Sequence, residues 1–192
     1  MNSRIILEHR ENKTGLASAV LRGFEIANGD IFSVMDGDLQ HPPEILKTML
    51  QEIEGGADLV IPSRFIKGGD DGGLNIFRKL VSGTARYLGK ILLRKVRPIS
   101  DPTGGLFMLN RKVIEGKELK PVGWKILVEI LVLGDYDKVV QIPYRFIDRS
   151  SGKSKLTFSV QLQYLAHLIS LKKRSKINNS SKIIINSVKK YL

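Results

Sequence analysis

Cysteine is absent from this chain of 192 residues. That removes disulfide frameworks, thiolate metal sites and cysteine nucleophiles. Histidine is scarce, at three residues, and His9 and His167 fall in no catalytic constellation. Aromatic residues are only 7% of the chain. With no nucleic-acid motif present, this argues against a nucleic-acid partner despite the basic charge. No apolar run reaches the roughly 18 residues of a membrane span. The opening MNSRIILEHRENK lacks the apolar core and small-residue cleavage site of a secretory signal, so the expected compartment is the cytosol or a cytosolic membrane face. Acidic residues stop at Asp148, and the 44 residues from Arg149 to Leu192 hold ten Lys/Arg. The first 148 residues therefore carry 21 basic and 19 acidic groups, and most of the net charge of +12 lies in the tail. Such asymmetry points to an anionic partner, or more blandly to a solvated basic tail.

What is present reads as globular, with 42% hydrophobic and 26% charged residues and length for one core. The pattern alternates strand and helix. Arg4–Leu7 reads as a short strand. Thr14 caps a helix through Ala27, with Leu16, Ala19, Val20 and Phe24 at helical spacing. Ile31–Met35 reads as a buried strand and Glu44–Glu54 as a helix opened by Pro42-Pro43 and closed by Gly55-Gly56. Asp58–Ser63 is a strand, Lys67–Leu74 a mobile Gly/Asp-rich loop, and Asn75–Arg94 a long helix. Leu106–Asn110 is a strand, Trp124–Leu133 a helix, Lys138–Ile147 a strand and Thr157–Lys173 a last helix. Arg174–Leu192 is low in complexity and reads as frayed helix or disorder. This order implies an α/β fold with a largely parallel sheet, whose ligands sit beyond the carboxyl ends of the strands.

One strand end carries a chemical pattern. Asp36-Gly37-Asp38-Leu39-Gln40 follows Ile31–Met35 and precedes a proline-started helix. Two carboxylates two residues apart, with the Gln40 amide oxygen beyond them, suit a hard cation such as Mg²⁺ or Mn²⁺. The bland alternative is that Asp38 caps the following helix.

DGDLQHPPE resembles the DADLQHPPE signature of dolichyl-phosphate mannose synthases, inverting enzymes of glycosyltransferase family 2. Further motifs of that family stand in order. They are R-x-x-x-x-G-L-x-x-A at Arg10–Ala19, A-N-G-D at Ala27–Asp30, S-R-F at Ser63–Phe65 and R-K-L-V-S at Arg78–Ser82. S-D-P-T-G-G at Ser100–Gly105, W-K-I-L-V-E at Trp124–Glu129 and R-x-x-G-x-S-K-L at Arg149–Leu156 follow. The resemblance implies a GT-A-like, Rossmann-type domain that transfers mannose from GDP-mannose to a polyprenyl (dolichyl) phosphate. It implies Asp36, Asp38 and Gln40 as metal ligands, with Asp38 central to catalysis. Arg64 and Arg78 would hold the acceptor phosphate, and Arg149 and Lys155 would close over the site. Arg64 would also reach the nucleotide-sugar. A phosphate nucleophile is already anionic, so no strong general base is needed. Glu129 is either an orienting carboxylate or a structural ion pair, Asp101 either functional or a turn former, and Lys67–Gly73 a possible lid.

Departures from the family are expectations of equal weight. Its first two strands have no counterpart here, so residues 1–156 read as an N-terminally truncated domain and 157–192 as a C-terminal basic amphipathic helix and tail. The open alternatives are another donor such as UDP-glucose, or a non-catalytic remnant completed by a partner polypeptide. A lipid acceptor implies peripheral attachment to the cytoplasmic face of a membrane, without a transmembrane helix.

Overall fold

A computed structural model describes residues 4–11, 15–38, 40–73, 76–123, 125–147, 158–175 and 184–187; for 76–82, 158–161 and 185–187 it describes the backbone course alone. The elements are α1 (Leu16–Ile26), β1 (Ile31–Val34), α2 (Ile45–Glu54), β2 (Leu59–Ser63), α3 (Ile76–Leu92), β3 (Phe107–Asn110), α4 (Ile126–Leu133), β4 (Lys138–Pro143), α5 (Phe158–Ser175) and β5 (Ile184–Ser187). The sheet order is β1-β3-β2-β4-β5. β2, β4 and β5 pair in parallel, while β3 runs antiparallel to both β1 and β2. Four strands thus share a direction and β3 runs against them. The sheet is mixed, because β3 is inserted between two strands of the parallel set.

Alternation along the strands builds a core on each face. Leu59 and Ile61 of β2, Phe107 and Leu109 of β3 and Val139 of β4 face one cluster, with α3, α4, α5 and the inner side of α1. Val60, Met108, Val140 and Ile142 face the other, against Met49 and Ile53 of α2. The result is three layers. α4 is the central helix: all eight residues of ILVEILVL are buried, as expected of a helix apolar on nearly every side. Each buried Leu or Ile there contributes roughly 2 kcal/mol of transfer free energy. α5 joins the same core through Tyr164, Leu168 and Leu171, spaced to share one helical face.

Three expectations change. Residues 5–10 adopt no strand, and Ile5, Ile6 and Leu7 are exposed; the segment is held instead by Glu8 to Arg22 and Arg10 to Ser18. β1 is an outer strand on which only Phe32 is buried, because it has a single ladder partner, β3. Part of the tail, expected as frayed helix or disorder, forms β5 on β4; the apolar run around Ile184 outweighs its polar surroundings. Thr14, the expected cap of α1, lies outside the described residues.

Candidate active site

The reversed direction of β3 gathers the site. The chain leaves β1 at Asp36, β2 at Arg64 and β4 at Tyr144, all at carboxyl ends, and because β3 runs the other way its entry, Ser100–Gly105, arrives at the same edge. Four segments therefore converge where parallel sheets place their ligands. Beyond Pro143 the chain stays extended. Tyr144 N–H donates to the Ser63 carbonyl, Phe146 N–H to Asp70 and Ile147 N–H to Gln40.

The β1–β3 register, Val34 opposite Phe107, continues to set Asp36 against Gly105. A Cβ on Gly105 would lie 2.7 Å from Asp36 Oδ2, so the missing side chain makes room for the carboxylate. Asp38 is exposed and its Oδ1 accepts the Gln40 N–H at 3.2 Å. This is a local turn, not a cap: α2 starts after Glu44 with no side-chain cap. Gln40 is buried and its Nε2 donates to the Ile147 carbonyl at 3.2 Å. That bond commits the nitrogen end of the amide and sets the roles of its two ends. His41 is buried with Nε2 3.7 Å from Asp36 Oδ2. Its ring stacks on Tyr144, 5.7 Å between centroids, and meets Phe146 edge-on at 5.5 Å. Burial raises the Tyr144 hydroxyl's pKa, so Tyr144 serves as a neutral wall.

Arg64 lies beside this loop. Its Nε donates to Asp101 Oδ2 at 2.8 Å, with both side chains nearly buried. Burial opposes the charge on Arg64, but Asp101 outweighs it and holds the guanidinium above its ordinary value. The guanidinium also lies 5.0 Å from the Phe146 ring centroid and 5.2 Å from that of Phe65, distances at which cation–π attraction operates. Asp101 is fully buried, and its Oδ1 has no hydrogen-bond donor among the described residues. Its role goes beyond the turn that D-P-T-G-G suggests: it is the counter-ion of Arg64.

Lys125, Lys90 and Arg86 escaped the sequence reading. Lys125 stands just before α4, with Nζ 5.0 Å over the Tyr164 ring. Burial pushes its pKa down to about 8, against attraction from Asp101 and with repulsion from Arg64. The available signal was a lysine opening a helix of seven apolar residues and one glutamate, a costly place for a charge without a purpose.

The remaining candidates divide clearly. Arg78 lies in α3, its side chain outside the described residues; Arg149, Lys155 and Trp124 lie outside them altogether. The Gly/Asp-rich loop, expected as a mobile lid, is tied down. Asp70 N–H donates to the Tyr144 carbonyl, Asp70 forms a parallel bridge with Arg145, and Arg145 Nε lies 3.1 Å from Asp70 Oδ2. Glu129 faces away from the site cations. It accepts from Lys120 N–H at 2.6 Å, Arg174 Nη1 at 2.7 Å and His167 Nε2 at 2.9 Å, a buried cluster that fastens α5 to α4.

The donor set at the Asp36 loop fits a hard divalent cation: two carboxylates and an amide, with no nitrogen or sulfur. Among the described residues no group of three or more His, Cys, Asp and Glu side chains is positioned to hold a metal. The fit is therefore to a cation that takes its remaining oxygens from substrate phosphates and water.

The sequence profile of the family described as Glycosyl transferase family 2 matches residues 1–116. A dolichol-phosphate mannosyltransferase of Pyrococcus furiosus is 48% identical over 164 residues, 85% of this chain and 47% of that protein. One of Saccharomyces cerevisiae is 35% identical over 176 residues, 87% of this chain and 63% of that protein. The chain thus spans from about half to under two thirds of these relatives. Among solved structures, glucosyl-3-phosphoglycerate synthase from Mycobacterium tuberculosis, in complex with Mn²⁺, UDP and glucosyl-3-phosphoglycerate, superposes with a TM-score of 0.64 at 20% identity, covering 85% of this chain and 57% of that one. At that identity the likeness is one of fold.

Proposed function

This chain belongs to glycosyl transferase family 2, and from that premise we propose that it serves the inverting transfer of mannose from GDP-mannose to a polyprenyl (dolichyl) phosphate. The observation that carries the reading is the convergence, at one sheet edge, of an oxygen-only acidic loop with a cluster of cations built on the Arg64–Asp101 pair. The two halves match the two charges of the reaction. A phosphate oxygen of the lipid attacks the anomeric carbon of mannose. The bond from that carbon to the diphosphate breaks, and GDP leaves with the electron pair.

A divalent cation, Mg²⁺ or Mn²⁺, would supply charge neutralisation at the leaving diphosphate. Asp36, Asp38 and Gln40 would hold it, with Asp36 seated against Gly105 and Gln40 clamped to Ile147. Arg64 is fixed by Asp101 and by the rings of Phe65 and Phe146, so the guanidinium edge without a partner among the described residues is pre-oriented for a phosphate oxygen. Arg78, Arg149 and Lys155 complete the cationic set in this reading. No general base is required, because the acceptor oxygen already carries charge near neutral pH. His41 accordingly does no proton transfer; it braces Asp36.

An acceptor of this kind lies in a membrane. No described helix is long and apolar enough to cross one, and we place the chain on its cytoplasmic face as a peripheral protein. Exposed Tyr87 and Ile91 on α3 and Leu162 and Ile169 on α5, together with the basic last turn Lys172–Arg174 of α5, support that attachment.

The test offers labelled GDP-mannose and UDP-glucose side by side, with dolichyl phosphate in detergent and Mg²⁺ or Mn²⁺. Lipid-soluble label from GDP-mannose alone is expected. Label from UDP-glucose alone would move the chain to another donor. No label from a folded chain would leave a non-catalytic subunit that needs a partner polypeptide.

A further inference from the structure

Several cations gather around the buried Asp101, and only Arg64 is ion-paired with it among the described residues. Arg86 and Lys90 lie one turn apart on α3, on the same i, i+4 stripe as Arg78 and Ser82. The Arg86 guanidinium sits 3.9 Å over the Phe65 ring, and Arg64 approaches that ring as well, at 5.2 Å. Two guanidinium groups thus share one aromatic side chain. Arg64 has a carboxylate partner, whereas Arg86 has none among the described residues. Lys90 is held below its ordinary pKa by burial and then by Arg86, against the pull of Asp101. Lys125 adds a fourth cation that feels both Asp101 and Arg64. Three cations, Arg64, Lys90 and Lys125, therefore answer to one buried carboxylate, and Arg86 stands beside them on Phe65; Asp101 Oδ1 has no donor among the described residues. Like charges at i, i+4 weaken a helix, and nothing in the core needs them there.

We propose that Arg86, with Lys90 one turn on, is a binding residue for a phosphate monoester dianion, the head group of the acceptor lipid, held jointly with Arg64. This rests on the transfer reading above and names the side chains that would anchor its acceptor. The apolar rim decides for a lipid phosphate over the nucleotide diphosphate. Tyr87 and Ile91 each lie one residue beyond a proposed ligand on α3, and are 66% and 64% exposed. A charged pocket edged by exposed apolar side chains fits an amphiphile with a phosphate at one end and a hydrocarbon chain at the other. In the transfer reading the diphosphate is assigned to the acidic loop instead.

The test titrates the full chain with farnesyl phosphate, and separately with GDP plus Mn²⁺, across a salt series. The variants are R86M, which keeps an unbranched stem on Phe65, R86K, which keeps charge without the fork, and K90M; melting curves confirm folding. R86M is expected to weaken farnesyl phosphate binding at least about tenfold, with R86K intermediate and a shallower salt dependence. Affinity for GDP with Mn²⁺ should be unchanged. If folded R86M and K90M bind farnesyl phosphate as the parent does, the proposal is overturned while the transfer reading stands. If GDP binding falls as much as farnesyl phosphate binding, the assignment to the acceptor is overturned. If the parent chain binds no farnesyl phosphate, the transfer reading itself fails.

Discussion

Replacing Gly105 with alanine isolates the seat of Asp36. The added Cβ would fall 2.7 Å from Asp36 Oδ2 and 3.4 Å from Asp36 Cγ. Restoring ordinary contact moves the carboxylate back by roughly 0.7 Å. Asp36 is 36% exposed and its carboxylate ends a flexible side chain, so it can swing outward. The fold should therefore lose less than about 1 kcal/mol. A metal site is less tolerant, since ligand distances are held to within about 0.2 Å. Displacing one of two carboxylates should weaken Mn²⁺ binding by about 10- to 100-fold, the range seen when a ligand's support is removed. Mn²⁺ titration followed by electron paramagnetic resonance, alongside a melting curve, separates the two effects. A G105A chain that melts like the parent and binds Mn²⁺ equally well would refute the reasoning.

Other changes probe the scaffold and the cations. Glu129→Ala strips a buried carboxylate from His167, Arg174 and Lys120 N–H and should cost about 3–5 kcal/mol in urea unfolding; a loss under about 1 kcal/mol would show that α5 is not fastened there. Gly69→Ala sets a Cβ 2.5 Å from the Ser63 carbonyl and 2.8 Å from the Arg64 carbonyl carbon. Neither backbone atom can yield cheaply, so the melting temperature should drop and phosphate binding at Arg64 should weaken with it. Lys125 has a folded pKa near 8 against an ordinary 10.5, so its charge disfavours folding until the folded state releases the proton. Stability should then rise as pH climbs from about 8 to about 10.5, while anion affinity falls through the same window. Lys125→Arg should abolish both trends, measured by melting temperature and farnesyl phosphate titration against pH.

The alternation of strand and helix was legible because each long element carries its own period. Met49 and Ile53 mark the buried side of α2, and the apolar run of α4, broken only by Glu129, marks a central helix. The acidic loop could be picked out for a related reason: the candidate ligands and the turn former lie within five consecutive residues, Asp36 to Gln40. The direction of β3 was not legible, since four apolar residues read alike either way. Yet that direction brings Asp101 and Gly105 to the site. The Arg64–Asp101 pair spans 37 positions in sequence, and no local pattern announces such a pairing. Arg86 and Lys90 were hidden differently. On the sequence they are ordinary charges of an amphipathic helix; only the stack on Phe65 gives Arg86 a direction, and Lys90 is placed by its closeness to Arg86 and Asp101. Glu129 was open between an orienting carboxylate and a structural ion pair, and only its distant partners, His167 and Arg174, make it an anchor for α5.

The central claim is that the Asp36 loop and the Arg64 cluster together transfer a sugar onto a lipid phosphate. Its most direct test measures label passing from GDP-mannose to dolichyl phosphate by the parent chain and by Asp38→Ala, each across a Mn²⁺ series. Product that requires the cation and disappears in the folded D38A chain is the predicted result. Product that forms equally in both chains, or that persists in excess chelator, would contradict it.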